Sequence, residues 1–140
     1  MKQLPHLLRR FAGTGLLEIK KQDYTWFFGF WSNLQICTEG SWRLISLQGV
    51  VVTSQDHDRK FGRPSTIDAA ARAAIETQNK KINDCQVADF TSDLSLFFDD
   101  GIQLQFLSLS SGYQSWRASD GTAEVVCQGG GNIVVFEGKN

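Results

Sequence analysis

Asp56, His57 and Asp58 stand side by side, and no other stretch of the chain is better suited to proton transfer. A carboxylate next to an imidazole orients the ring and raises its basicity, which is what a general base requires. The same side chains ligate metals, but a metal site needs several ligands converging from different directions. Neighbours on an extended loop point apart, and the only other histidine, His6, lies in an N-terminal segment with helical spacing. The triplet therefore reads as a solvated polar loop, with a partner-binding or substrate loop as the alternative. Asp99 and Asp100 form a second carboxylate pair, followed by Gly101. Adjacent turn residues seldom converge on one substrate, so this pair reads as a turn former with its charges on the surface.

Other chemical signatures fail on their spacing. Gly129-Gly130-Gly131 offers three backbone amides to an anion, yet a phosphate loop leads from a strand into a helix. Here the glycines fall between two valine-rich strand patterns, and no Gly-Lys-Ser/Thr follows. They predict a tight bend or bulge. Gly13-Thr14-Gly15 lacks the third glycine of a dinucleotide site, and no Gly-x-Ser-x-Gly elbow is present. Cys37, Cys85 and Cys127 form no Cys-x-x-Cys pair and sit in apolar strand patterns, where an inert core thiol is the usual state. No catalytic, metal-binding or cofactor-binding residue is assigned, and no cofactor is expected.

The elements that must position these groups follow from composition and periodicity. The 140 residues are 41% hydrophobic, with ten Phe and four Trp, which suits a single domain over 1–140 with its own core. The net charge of −1 conceals an asymmetry. Residues 1–63 carry nine Lys/Arg against five Asp/Glu, and residues 64–140 carry five against ten. A near-neutral total argues against nucleic acid as the partner, since that needs many phosphate contacts. Three widely spaced cysteines, no run of membrane-spanning length and no export signal predict a cytoplasmic protein with no membrane association.

Leu4, Leu7, Leu8 and Phe11 recur at helical spacing and predict a short N-terminal helix. Ile67, Ala70, Ala71, Ala74 and Ile75 predict the main helix over about 65–80, capped by Ser65 or Thr66 with Asp68 in its first turn. Strand alternation covers most of the rest, including 24–31, 42–47, 50–53, 87–90 and a hairpin over 94–106 turned by Asp99-Asp100-Gly101. The expected fold is α+β, with about ten short strands in a mostly antiparallel sheet or open barrel.

Ser-Trp-Arg occurs at Ser41-Trp42-Arg43 and again at Ser115-Trp116-Arg117, each followed by a glycine turn and a valine run. This predicts two related β-meanders over 24–54 and 86–136, separated by a polar loop and the main helix. At period two each Trp lies on the face opposite its Arg, so a buried Trp with an outward Arg is expected. Function is then better sought in what the halves do not share, the 56–60 loop and the 108–113 connection.

The runs Val52-Thr53-Ser54-Gln55-Asp56-His57, Phe61-Gly62-Arg63-Pro64 and Ile67-Asp68-Ala69 resemble a group of small uncharacterised bacterial proteins. Ser110-Ser111-Gly112-Tyr113-Gln114-Ser115-Trp116 and Gln128-Gly129-Gly130-Gly131-Asn132 extend the resemblance over roughly residues 24–136. It implies a non-enzymatic interaction protein of the immunity type, which neutralises a toxin domain by covering it. Asp56, His57, Asp58, Asp99, Asp100 and Tyr113 are the candidate partner-binding residues. The alternative expectation is a small-ligand-binding protein or enzyme with a pocket near His57, Tyr113 and Trp116.

Overall fold

Alternation in the most aromatic segment sets the layers. Trp26, Phe28 and Phe30 turn to one side and are buried, while Phe27 and Gly29 turn to the other. In the computed structural model, which describes residues 3–138, this segment is β2 (Thr25–Phe30). It lies in a six-stranded antiparallel sheet ordered β1 (Leu16–Gln22), β2, β3 (Gln35–Thr38), β9 (Trp116–Ser119), β10 (Glu124–Cys127), β11 (Ile133–Phe136). Facing it is a five-stranded sheet ordered β5 (Gly49–Thr53), β4 (Trp42–Ser46), β8 (Gln103–Phe106), β7 (Leu94–Phe98), β6 (Ile82–Val87). The fold is α+β with two antiparallel sheets and no closed barrel.

The core between the sheets is aromatic. Trp42 meets Trp26 edge-on at 5.1 Å and Phe28 at 5.3 Å, and Phe28 meets Phe106 at 4.9 Å. Each such pair adds roughly 0.5–1.5 kcal/mol beyond the area it buries. Trp42 and Trp116 are both fully buried, whereas Arg43 bonds Gln105 and Arg117 lies 3.4 Å from Glu124 on the outer faces. Period-two alternation thus separates Trp from Arg in both copies of the motif. The three cysteines are buried free thiols.

Strand pairings repeat between the halves. An irregularity falls between Leu16 and Glu18 where β1 meets β2, and between Ile82 and Asp84 where β6 meets β7. Phe28 faces Ile36 as Leu96 faces Leu104. Where the halves join, Trp116 lies opposite Thr38 and Trp42 lies opposite Phe106. Exchanging β1–β5 for β6–β10 carries one set of pairings onto the other. The helices follow the same exchange: α2 (Ala69–Thr77) packs on β1 and β5, and α1 (His6–Arg9) packs on β6, β9 and β10. The matched pairings run over 16–53 and 82–126, and β11 has no partner in the exchange.

Two boundaries differ from expectation. The main helix is 69–77 rather than 65–80, because Asp68 caps it by accepting from the Ala71 N–H at 3.0 Å. Ser65 and Thr66 remain in an exposed loop after Pro64. The strand expected over 87–90 ends at Val87; the Ser92 N–H bonds the Ala88 carbonyl at 3.1 Å, closing a turn that turns Phe90 outward.

Candidate functional site

Both chain crossings between the sheets, β3 to β4 and β8 to β9, lie at one end of the sandwich, since Thr38 neighbours Trp116 and Trp42 neighbours Phe106. The first crossing takes four positions, from Thr38 to Trp42. The second takes ten, from Phe106 to Trp116, which inserts six residues where the first half has none. The turns after β1, β6 and β10 and the start of the 54–68 loop fall at this same end, as their strand registers require.

The inserted segment is held firmly. Ser110 Oγ accepts from the N–H groups of Gly112 and Tyr113 at 3.0 and 2.9 Å, and the Gly130 N–H donates to the Ser110 carbonyl at 2.9 Å. Asp93 accepts from the Ser108 N–H at 2.7 Å, and the Trp116 indole donates to the Ser92 carbonyl at 2.9 Å. Ser92 Oγ donates to the Gly131 carbonyl, and Thr38 Oγ1 to that of Ser115. Gly129 and Gly131 make this meeting of loops sterically feasible. A Cβ at Gly129 would lie 2.6 Å from the Gly112 backbone, and one at Gly131 would lie 2.5 Å from the Phe90 carbonyl oxygen. The triple glycine is a turn between β10 and β11, where a bend was expected.

These loops carry bulky side chains into solvent. Tyr24 is 84% exposed, Phe61 68%, Phe90 90%, Leu109 71% and Tyr113 83%. Beside them, on the outer face of the six-stranded sheet, a cleft of about 720 Å³ is lined by residues that include Glu39, Tyr113, Gln114, Arg117, Glu124 and Phe136. The arrangement suits a broad contact with a macromolecule: large side chains on braced loops, with charges of both signs at the rim.

Most of the residues singled out from sequence are committed to structure. Asp56 accepts from the Thr53 N–H at 2.9 Å and, with the Thr53 hydroxyl, caps the turn 54–56. His57 Nδ1 accepts from the Ala69 N–H at 3.1 Å, satisfying an amide at the start of α2, and its ring packs edge-on to Trp26 at 5.2 Å. Its other nitrogen lies 3.6 Å from the exposed Asp58. The imidazole is therefore a capping group, and it does not line the cleft beside Tyr113 and Trp116. Among the described residues, no three His, Cys, Asp or Glu side chains gather as metal ligands would.

Asp99 and Asp100 lie at the opposite end, in a turn where Asp100 and Gly101 both have positive φ. Asp99 accepts from the Lys81 N–H at 3.0 Å and from Asn83 at 2.9 Å. These bonds, the Lys81 amide foremost, hold its carboxyl below the usual carboxylate range. Asp100 pairs with Lys80 at 2.9 Å. The structure thus groups Asp56, His57, Asp58 and Tyr113 at the crossover end and sets Asp99 and Asp100 apart from them.

Tyr24 and Phe90 escape sequence reasoning because each stands at one end of a run that reads as strand, whereas Phe61 and Leu109 fall in segments already read as a loop and a polar connection. A signal was present at Phe90: it sits among Asp89, Thr91, Ser92 and Asp93, a polar setting typical of a turn.

Comparison with protein-family models, curated proteins and solved structures gives no significant match. Among the described residues no helix is long and apolar enough to cross a membrane.

Proposed function

We propose that this protein is a non-enzymatic protein-binding module whose contact surface is the crossover end. The supporting observation is the placement of Tyr24, Phe90, Leu109 and Tyr113, all mostly exposed, on loops at one end of a braced double sheet. Aromatic side chains on rigid loops give large contact area for little lost conformational entropy, which is why binding loops favour them. The six-residue insertion adds weight, because it departs from an otherwise matched pair of halves and carries Leu109 and Tyr113. The resemblance described above adds the class of partner: a toxin domain in a bacterial cytoplasm, neutralised by covering its active surface.

The test uses the full chain with an affinity tag, expressed in its native host, and a toxin-like protein encoded beside its gene. Wild type is expected to co-purify with that protein and to protect cells that express it. Substituting Tyr113→Ser and Phe90→Ser together is expected to abolish both effects, while Asp99→Asn at the far end leaves them intact. Capture and protection unchanged by the double substitution would remove the crossover end from the interface. No capture of the neighbouring product by wild type would end the toxin reading.

A further inference from the structure

Four strands stand at sheet edges, and three of them are guarded. β1 carries Lys20 and Lys21, has an irregular register after Leu16, and lies against α2. β5 also lies against α2 and its pairing shifts between Leu44 and Ile45. β6 carries Asp84, has an irregular register after Ile82, and lies against α1. Charge, bulges and a covering helix are the usual means of keeping an edge from pairing with another chain.

Among the described residues β11 carries no charge and no register shift, and no helix packs more than slightly on it. Its sequence Ile133-Val134-Val135-Phe136 is uncharged, and its register with β10 runs unbroken from Cys127 opposite Ile133 to Glu124 opposite Phe136. The Gln128 N–H donates to the Asn132 carbonyl at 2.8 Å, which fixes the phase of the ladder. By antiparallel alternation Val134 and Phe136 spend their backbone groups on β10, and Ile133 and Val135 point theirs outward. Two N–H and two C=O groups therefore face solvent along a strand whose Val135 and Phe136 side chains are 43% and 50% exposed. Unpaired ladder groups are matched by another strand, not by an irregular surface.

We propose that β11 pairs with β11 of a second copy of this chain, antiparallel and about a two-fold axis at Val134, making one continuous sheet through the dimer. An uncharged strand meets its own copy with no like-charge clash, and antiparallel edge pairing is its own complement. Ile133 then exchanges hydrogen bonds with the second copy's Val135, and the two Val134 residues face each other as a non-hydrogen-bonded pair. This inference is independent of the proposed function: it concerns the side of one sheet, not the loops at its end.

Sedimentation velocity of the full chain across a wide concentration range tests it. The expected result is a species of two chains at high concentration, each of 15.6 kDa, dissociating on dilution. Val134→Lys sets two ammonium groups face to face and is expected to return the protein to monomer with an unchanged circular dichroism spectrum. A second variant does not depend on that one folding. Val134→Cys places two thiols at the close approach of a non-hydrogen-bonded pair, roughly 4.5 Å between Cα atoms, within disulfide reach. Mild oxidation is expected to link it almost completely, and Val135→Cys hardly at all. A wild type that stays monomeric throughout, or cross-linking equal at the two positions, would overturn the proposal.

Discussion

The indole N–H of Trp116 donates to the carbonyl oxygen of Ser92 at 2.9 Å, whereas the matched tryptophan, Trp42, is buried with its Nε1 unpartnered among the described residues. The two residues hold equivalent places in the strand pairings but differ in hydrogen bonding. Trp116→Phe leaves the Ser92 carbonyl short of a donor, and Trp42→Phe removes a group that was already unsatisfied. We expect Trp116→Phe to cost about 1–2 kcal/mol more than Trp42→Phe, measured by urea unfolding. Equal losses would show that volume alone governs both sites.

His57→Ala is expected to destabilise the fold by about 1–2 kcal/mol, through a lost cap on α2 and a lost edge contact with Trp26. Hydrogen exchange supplies the local readout: the Ala69 amide should lose protection first. Protection unchanged at Ala69 would contradict the capping role.

Gly131→Ala is expected to cost more than about 2 kcal/mol, since it combines backbone strain with a steric clash. Gly131 sits at φ +87°, and a Cβ there meets two carbonyl oxygens within 2.7 Å. Gly112, in the adjoining loop, has open space around its Cβ position, so Gly112→Ala should stay within about 0.5 kcal/mol of wild type. Thermal melts of the two variants check the contrast.

Stability should fall at both pH extremes for identifiable reasons. Asp99 and Asp120 titrate below the usual carboxylate range. Asp99 is held there chiefly by the Lys81 amide, and Asp120 by the Ala123 and Thr122 amides with Arg10 beside it. Their contribution is therefore present above the ordinary carboxylate pKa and lost as pH falls through the lowered values in the folded protein. At the alkaline side, burial, aided by Asp84, pushes the Cys85 thiol from 9.0 up to about 12. The unfolded chain releases that proton first, so stability declines between those two values. Asp99→Asn should flatten the acid limb of urea midpoint against pH, and Cys85→Ala the alkaline limb. Native Cys85 should resist a thiol reagent at pH 8 and react on unfolding.

Local pattern was enough for much of the fold. The alternation of Leu94, Leu96 and Phe98 with that of Leu104 and Phe106 predicts a hairpin, and Asp99-Asp100-Gly101 supplies its turn; the structure has both. The separation of Trp from Arg in each Ser-Trp-Arg was equally legible, because strand side chains alternate whatever the sheet order. Helix ends were less so. Ser65, Thr66 and Asp68 can all cap, and only the Asp68–Ala71 hydrogen bond selects between them.

The candidate site was legible only in part. Tyr113 stood out in a polar connection, but Phe90 resembled strand until its turn set it outside the sheet. His57 appeared chemical because its neighbours are carboxylates, and the Ala69 amide that claims its Nδ1 lies twelve residues away. Residue types and their spacing determined the strands, the turns and the buried faces, since those depend on neighbours in the chain. Tertiary structure alone decided which loops share an end, which imidazole nitrogen is engaged and which edge is left open, because each depends on contacts between segments that are distant in sequence.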